Sequence, residues 1–163
     1  MAKRFKINYS EGDCFVLPLE NGGYARGVIA RLNGKGIVLS YFFLPKYRNI
    51  EEAVIDEYLI PNNSIYIQRH GDLGLIKSHW KIIGKIKSWC HDNWPIPTFG
   101  QADSIRKQWG ELRYYSDDLQ TCRGEKVPVE NIQNLPSDGL AGYGYMERAL
   151  SLRINKLEKN NKE

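Results

Sequence analysis

The densest strand pattern in the chain lies between Gly12 and Phe43, where three apolar runs are separated by two short stretches of turn residues. Cys14 to Leu19 stops at Glu20-Asn21-Gly22-Gly23, Tyr24 to Leu32 carries the chain back, and Asn33-Gly34-Lys35-Gly36 precedes a third run, Ile37 to Phe43. Asn and Gly reach the positive φ that tight hairpins need, so the pattern predicts a three-strand antiparallel meander. Each pairing closes only a small loop, which makes this stretch the least costly nucleus on which the remaining chain can pack.

Beyond Phe43 the pattern weakens and changes period. Asn49 followed by Glu52 reads as a helix start, predicting a short helix over Ile50 to Tyr58 that ends before Pro61. Ile65 to Arg69 alternates as a fourth strand, with the isoleucines on one face and Tyr66 and Gln68 on the other. Leu75 to Ile86 carries Trp80, Ile82, Ile83 and Ile86 as candidate core residues. Gly71-Asp72 ahead of it echoes Gly12-Asp13, and unequal spacings favour a shared turn habit over an internal repeat. Trp89 to Gly100, with two prolines and three large rings, predicts a loop crossing the sheet. Trp109 to Tyr115 and Thr121 to Val129 read as a hairpin around residues 116–120, and one or two helical turns precede Pro136. Met146, Leu150, Ile154 and Leu157 recur at intervals of three and four, the stripe of a C-terminal helix, with a frayed end at residues 159–163.

Composition narrows the class. A chain of 163 residues, 42% hydrophobic, fits a single domain over residues 1–163 with an ordered body at about 6–157. No apolar run approaches the length of a membrane span, and the basic start Lys3-Arg4-Lys6 is followed by polar residues rather than a signal core. Three widely spaced cysteines argue against a disulfide framework and for a reduced, cytoplasmic setting; Cys14, among large apolar neighbours, reads as a small buried hydrophobe. The charge of +4 arises from 23 basic and 19 acidic residues, and six of the basic ones (Lys3, Arg4, Lys6, Lys156, Lys159, Lys162) sit near the ends. Scattered basic residues of this kind make nucleic acid a poor partner.

The search for chemistry returns little. His70, His79 and His91 are the only histidines, and neither they nor the cysteines fall at metal-ligand spacings, so no metal and no cofactor are expected. Cys90-His91-Asp92 and His70-Gly71-Asp72 place nucleophile and base as neighbours that point apart, and Asp72 reads as a turn residue. Asp117-Asp118 sits at a hairpin tip, where turn chemistry or a basic partner would each account for it. The aromatic loop is the best candidate for recognition: Trp89 and Trp94, both of a type usually buried, flank His91, Asp92 and Asn93.

Several stretches in order resemble a known family. Gly12-Asp13-Cys14-Phe15-Val16-Leu17-Pro18-Leu19, Gly22-Gly23-Tyr24-Ala25-Arg26-Gly27-Val28, Gly71-Asp72-Leu73-Gly74 and Trp80-Lys81-Ile82-Ile83-Gly84 are similar to the immunity protein 26 family of bacterial polymorphic toxin systems. Trp94-Pro95-Ile96-Pro97-Thr98-Phe99-Gly100, Leu135-Pro136-Ser137-Asp138-Gly139-Leu140 and Gly142-Tyr143-Gly144 extend the likeness, which runs from about Gly12 to Leu157. The resemblance implies a cytoplasmic, non-enzymatic protein that binds a cognate toxin encoded nearby and blocks it. It brings neither catalytic nor contact residues, and the mildly basic charge departs from the acidic character common among immunity proteins.

The combined expectation is an α+β domain with a mainly antiparallel twisted sheet, or a small partly open barrel of SH3-like character, packed by the C-terminal helix and the short helix at Ile50 to Tyr58. Its function would be steric occlusion of a toxin, with Trp89, Trp94, Tyr114 and Tyr115 as anchors and His91, Asp92, Asp117 and Asp118 as a charged rim. One alternative is a nucleic-acid-binding module using exposed aromatics and basic residues. Another is a hydrolase, which requires a cleft that sets His70 or His91 beside a carboxylate from a distant segment.

Overall fold

The computed structural model describes residues 7–162; Lys3, Arg4 and Lys6 of the expected basic tail lie outside them. The meander forms as β1 (Asp13–Pro18), β2 (Tyr24–Leu32) and β3 (Ile37–Tyr47), paired antiparallel. Its first turn closes with Leu19 N–H donating to Gly23 O at 2.9 Å, while Gly22 and Gly23 adopt φ of 90° and 81°. That left-handed backbone costs an L-residue about 1–2 kcal/mol, which glycine avoids. The second turn is held by Asn33, whose Oδ1 accepts the N–H groups of Lys35 and Ile37 at 2.8 and 3.1 Å.

The next segment departs from the sequence pattern. Instead of a helix over residues 50–58, only Ile50–Glu52 turns, as one 3-10 turn, and the chain then runs irregularly. Glu52 does reach back, to Arg48 N–H at 3.3 Å and Asn49 Nδ2 at 3.1 Å, but the helix does not propagate. Arg26 on β2 takes the backbone of this segment for itself, donating to Val54 O at 2.9 Å and pairing with Asp56 at 3.1 Å. A buried guanidinium outbids the propensity of a nine-residue helix, which is marginal on its own.

β4 (Tyr66–Gly71) then joins β3, the short α1 (Leu73–Ile76) follows, and β5 (Lys81–Lys85) returns to β1 with a bulge. The short helix of the fold is therefore α1, not residues 50–58. β6 (Phe99–Ala102), β7 (Trp109–Tyr115) and β8 (Cys122–Pro128) make a separate three-stranded sheet. A 3-10 turn at Val129–Ile132 leads to β9 (Leu140–Ala141), which pairs parallel with β4, and then to α2 (Tyr143–Asn160). The large sheet has the order β5-β1-β2-β3-β4-β9 and does not close into a barrel. Helical geometry runs past the expected fraying point to Asn160, with Asn161 N–H bonded to Leu157 O.

Alternate side chains of the large sheet enter two cores. Phe15, Leu17, Ile29, Val38 and Phe42 meet Trp80 and the Met146, Leu150 and Ile154 stripe of α2 on one face. Cys14, Val28, Leu39, Tyr41 and Phe43 meet Leu59, Trp94, Phe99 and Leu119 on the other. Ile82, Ile83 and Ile86 are only partly buried, whereas Trp80 is enclosed and stacks on Phe15 with centroids 5.4 Å apart. The architecture is thus three layers: α2, the open sheet, and a layer of loops with the small sheet.

Candidate partner-binding surface

The loop layer is fastened by three arginines on the same face of the large sheet: Arg26, Arg31 and Arg69, all buried. Arg26 holds residues 44–56 through Leu44 O, Val54 O and Asp56. Arg31 donates to His91 O at 3.2 Å, and Arg69 donates to Leu119 O at 2.8 Å and Tyr115 Oη at 2.7 Å. Each bond ties a loop far away in sequence to a rigid strand, which is how a mobile connection acquires a fixed shape.

One of these bonds, with a second from Asn33, gathers the expected rim. The 3-10 turn His91–Asn93 hangs from Arg31, and the β7–β8 tip is joined to the β2–β3 turn by Asn33 Nδ2 donating to Asp118 O at 3.0 Å. His91, Asp92, Asp117 and Asp118 are all exposed, on two loops that border one end of the sheet. Asp118 is also a turn residue: its Oδ1 accepts from Gln120 and Thr121 N–H and its Oδ2 from the Thr121 hydroxyl, which together hold its carboxyl below the usual range. Asp117 has no such bond among the described residues and leaves its charge open. Glu11, which the sequence reading missed, completes this end by accepting both Trp89 Nε1–H at 3.0 Å and His91 Nδ1–H at 2.5 Å.

The four aromatic residues divide. Trp94 is 4% exposed and lies edge-on to Tyr41 and Phe43, so it serves the second core rather than a free surface. Tyr115 faces inward, with the Arg69 guanidinium 3.8 Å from its ring centre and its hydroxyl donated to Asp138 at 2.8 Å. Burial and that carboxylate push its pKa up to about 12. Tyr114, one residue earlier, points to the opposite face of the small sheet under Arg123. Trp89 is half-buried, its ring on Gly12 and 5.3 Å from Trp94.

Neither histidine proposed for chemistry lies in a cleft. His70 is enclosed, with Nε2 2.7 Å from Ser40 Oγ and Nδ1 2.8 Å from Gly71 O, and desolvation lowers its pKa to about 4. His91 does meet a carboxylate from a distant segment, Glu11, but on open surface, and the same oxygen is shared with Trp89. Cys14, Cys90 and Cys122 are free thiols; Cys14 is buried and its pKa rises to about 12 through desolvation. Among the described residues no group of three or more His, Cys, Asp or Glu side chains could hold a metal ion.

A second surface has no signal in the local pattern. β4 pairs with β9 only at Arg69 and His70, which leaves Tyr66–Gln68 unpaired on that side. Opposite them, residues 133–137 run irregularly and are fixed to the small sheet by Gly100 N–H to Pro136 O at 2.8 Å and Asp138 N–H to Gly100 O at 2.9 Å. Between the two runs a trough made of cavities of about 540 and 300 Å³, which share Tyr66 and Ser137 in their walls. Finding it requires knowing that β9 is two residues long and stops where it does.

Fold and surface together define an α+β protein of the open-sheet class, with polar groups set on loops and part of the β4 edge left unpaired. The family model of immunity protein 26 matches residues 10–111, and the chain belongs to that family. The match covers β1 through the start of β7; the motifs at residues 135–144 lie beyond it. Comparison with curated proteins and with solved structures finds no match.

Proposed function

We propose that this protein is the immunity partner of a bacterial toxin and neutralises it by covering the toxin's active site or substrate surface, without chemistry of its own. The observation that carries the reading is the family match over residues 10–111, which includes the β2–β3 turn and the aromatic loop. The toxin is the product of a neighbouring gene, and the encounter takes place in the cytoplasm. No helix of the described chain is long and apolar enough to cross a membrane, which suits that setting.

The contact surface in this reading is the loop end. Trp89, partly exposed, supplies an apolar anchor; His91, Asp92, Asp117 and Asp118 form the rim, and Tyr114 extends the surface along the outer face of the small sheet. Trp94 and Tyr115 act from beneath by fixing the loops that carry the others. An acidic rim speeds encounter with a basic toxin surface and sets orientation more than it sets affinity. Co-expression with the toxin in a susceptible host tests this. Wild type restores growth, and with the purified proteins the pair of exposed substitutions Asp92→Lys and Asp117→Lys slows association about tenfold at low salt. A toxin that kills equally with and without the wild-type chain contradicts the proposal.

A further inference from the structure

The free edge of β4 has a main chain ready for pairing, and the side chains around it select what pairs. Tyr66–Gln68 of β4 have no strand beside them on the trough side, about 10 Å at 3.3 Å per residue, and residues 64–65, outside the strand, continue that wall. At one end stands Arg153, whose Nε donates to Ile65 O at 3.2 Å and whose guanidinium makes no ion pair with any described carboxylate. At the other end Leu140 and Tyr145 are 56% and 62% exposed, large apolar groups without cover. Tyr145 and Arg153 both sit on α2, eight residues apart, or about 12 Å along the helix.

We propose that this trough takes an extended segment of the toxin as an added strand against β4, with a carboxylate at Arg153 and a large apolar side chain between Leu140 and Tyr145. The inference rests on the immunity reading and adds a second, distinct contact to it. In a strand, residues four apart lie on one face about 13 Å from each other, which matches the spacing of the two anchors. Main-chain pairing supplies affinity and the two side-chain sites supply selectivity, the usual division in strand addition. The bond from Arg153 to Ile65 O shields the edge while it is empty. Arg153 gives this trough a positive charge, whereas the loop end carries Asp92, Asp117 and Asp118, so a segment with a carboxylate is drawn here and not there.

The test uses the purified toxin domain and the full-length chain. Amide hydrogen exchange is read with and without toxin, and Kd is measured for wild type, Arg153→Glu and Ser137→Trp, whose side chains are exposed; circular dichroism checks that each variant is folded. The expected result is new protection within residues 66–68 on binding and a Kd raised about tenfold by either variant. Toxin bound without new protection there overturns the inference and leaves the immunity reading standing, whatever the variants do. Protection at 66–68 together with variants that bind like wild type overturns the assigned selectivity of the trough. Toxin that wild type does not bind overturns the immunity reading and this inference with it.

Discussion

At the scale of single residues, the most informative group is His70. Its ring is enclosed by Phe15, Phe42 and Trp80, with centroids 6.5, 6.1 and 5.3 Å away. The Gly71 carbonyl can only accept, so Nδ1 carries the proton and Nε2 accepts from the Ser40 hydroxyl. Folding holds this imidazole neutral, with a pKa lowered from 6.5 to about 4 by burial. Below pH 6.5 the unfolded chain therefore binds the proton first, and stability falls as pH drops from 6.5 towards 4. Urea unfolding at pH 7.5 and 4.5 should show wild type losing about 2 kcal/mol more than His70→Gln over that interval. Gly27 offers a second reading at this scale. A Cβ there would lie 2.4 Å from Phe15 Cζ, and Phe15 cannot retreat because Trp80 stacks behind it. Gly27→Ala should destabilise by about 1–3 kcal/mol in chemical denaturation.

At the scale of elements, local causes shape what the sequence pattern shows, and the three buried arginines shape what it does not. Hairpin turns were legible because their causes are local: Gly22, Gly23 and Asn33 bond within a few residues of themselves. The C-terminal helix was legible because Met146, Leu150 and Ile154 repeat at one period. Residues 50–58 were misread because the group that decides their course, Arg26, lies 28 and 30 positions from the atoms it binds. In the strand pattern an arginine counts as a solvent-facing position, yet Arg26, Arg31 and Arg69 point under the loops. Arg69 is the sharpest test. It serves Leu119 O, Tyr115 and Asp138 together, so Arg69→Met leaves a buried carboxylate with one fewer cation, at a cost of about 3 kcal/mol or more. Unfolding measurements would register that loss, and faster amide exchange across β7 and β8 would locate it.

At the scale of the whole molecule, the large sheet is a scaffold with both faces given to packing, and the proposed contacts lie at its margins. The loop end could be partly anticipated, since His91, Asp92, Asp117 and Asp118 sit on stretches with evident turn and loop chemistry. Their meeting could not, because Arg31 to His91 and Asn33 to Asp118 span 60 and 85 residues. Trp94 is buried in the second core and Tyr115 is half-buried against Arg69, an arrangement that residue type alone does not reveal. The trough on β4 depends on the length of one short strand and has no sequence signature. The family match reaches residue 111, so the loop layer's hairpin tip and the far wall of the trough both come from the part of the chain beyond it. The central claim is that these margins hold a toxin. The most direct measurement is calorimetric titration of the purified chain into the toxin domain encoded beside it. The expected result is a stoichiometric complex with Kd below about 1 μM and loss of toxin activity at equivalence; heats no larger than dilution, with the toxin fully active, overturn the immunity role.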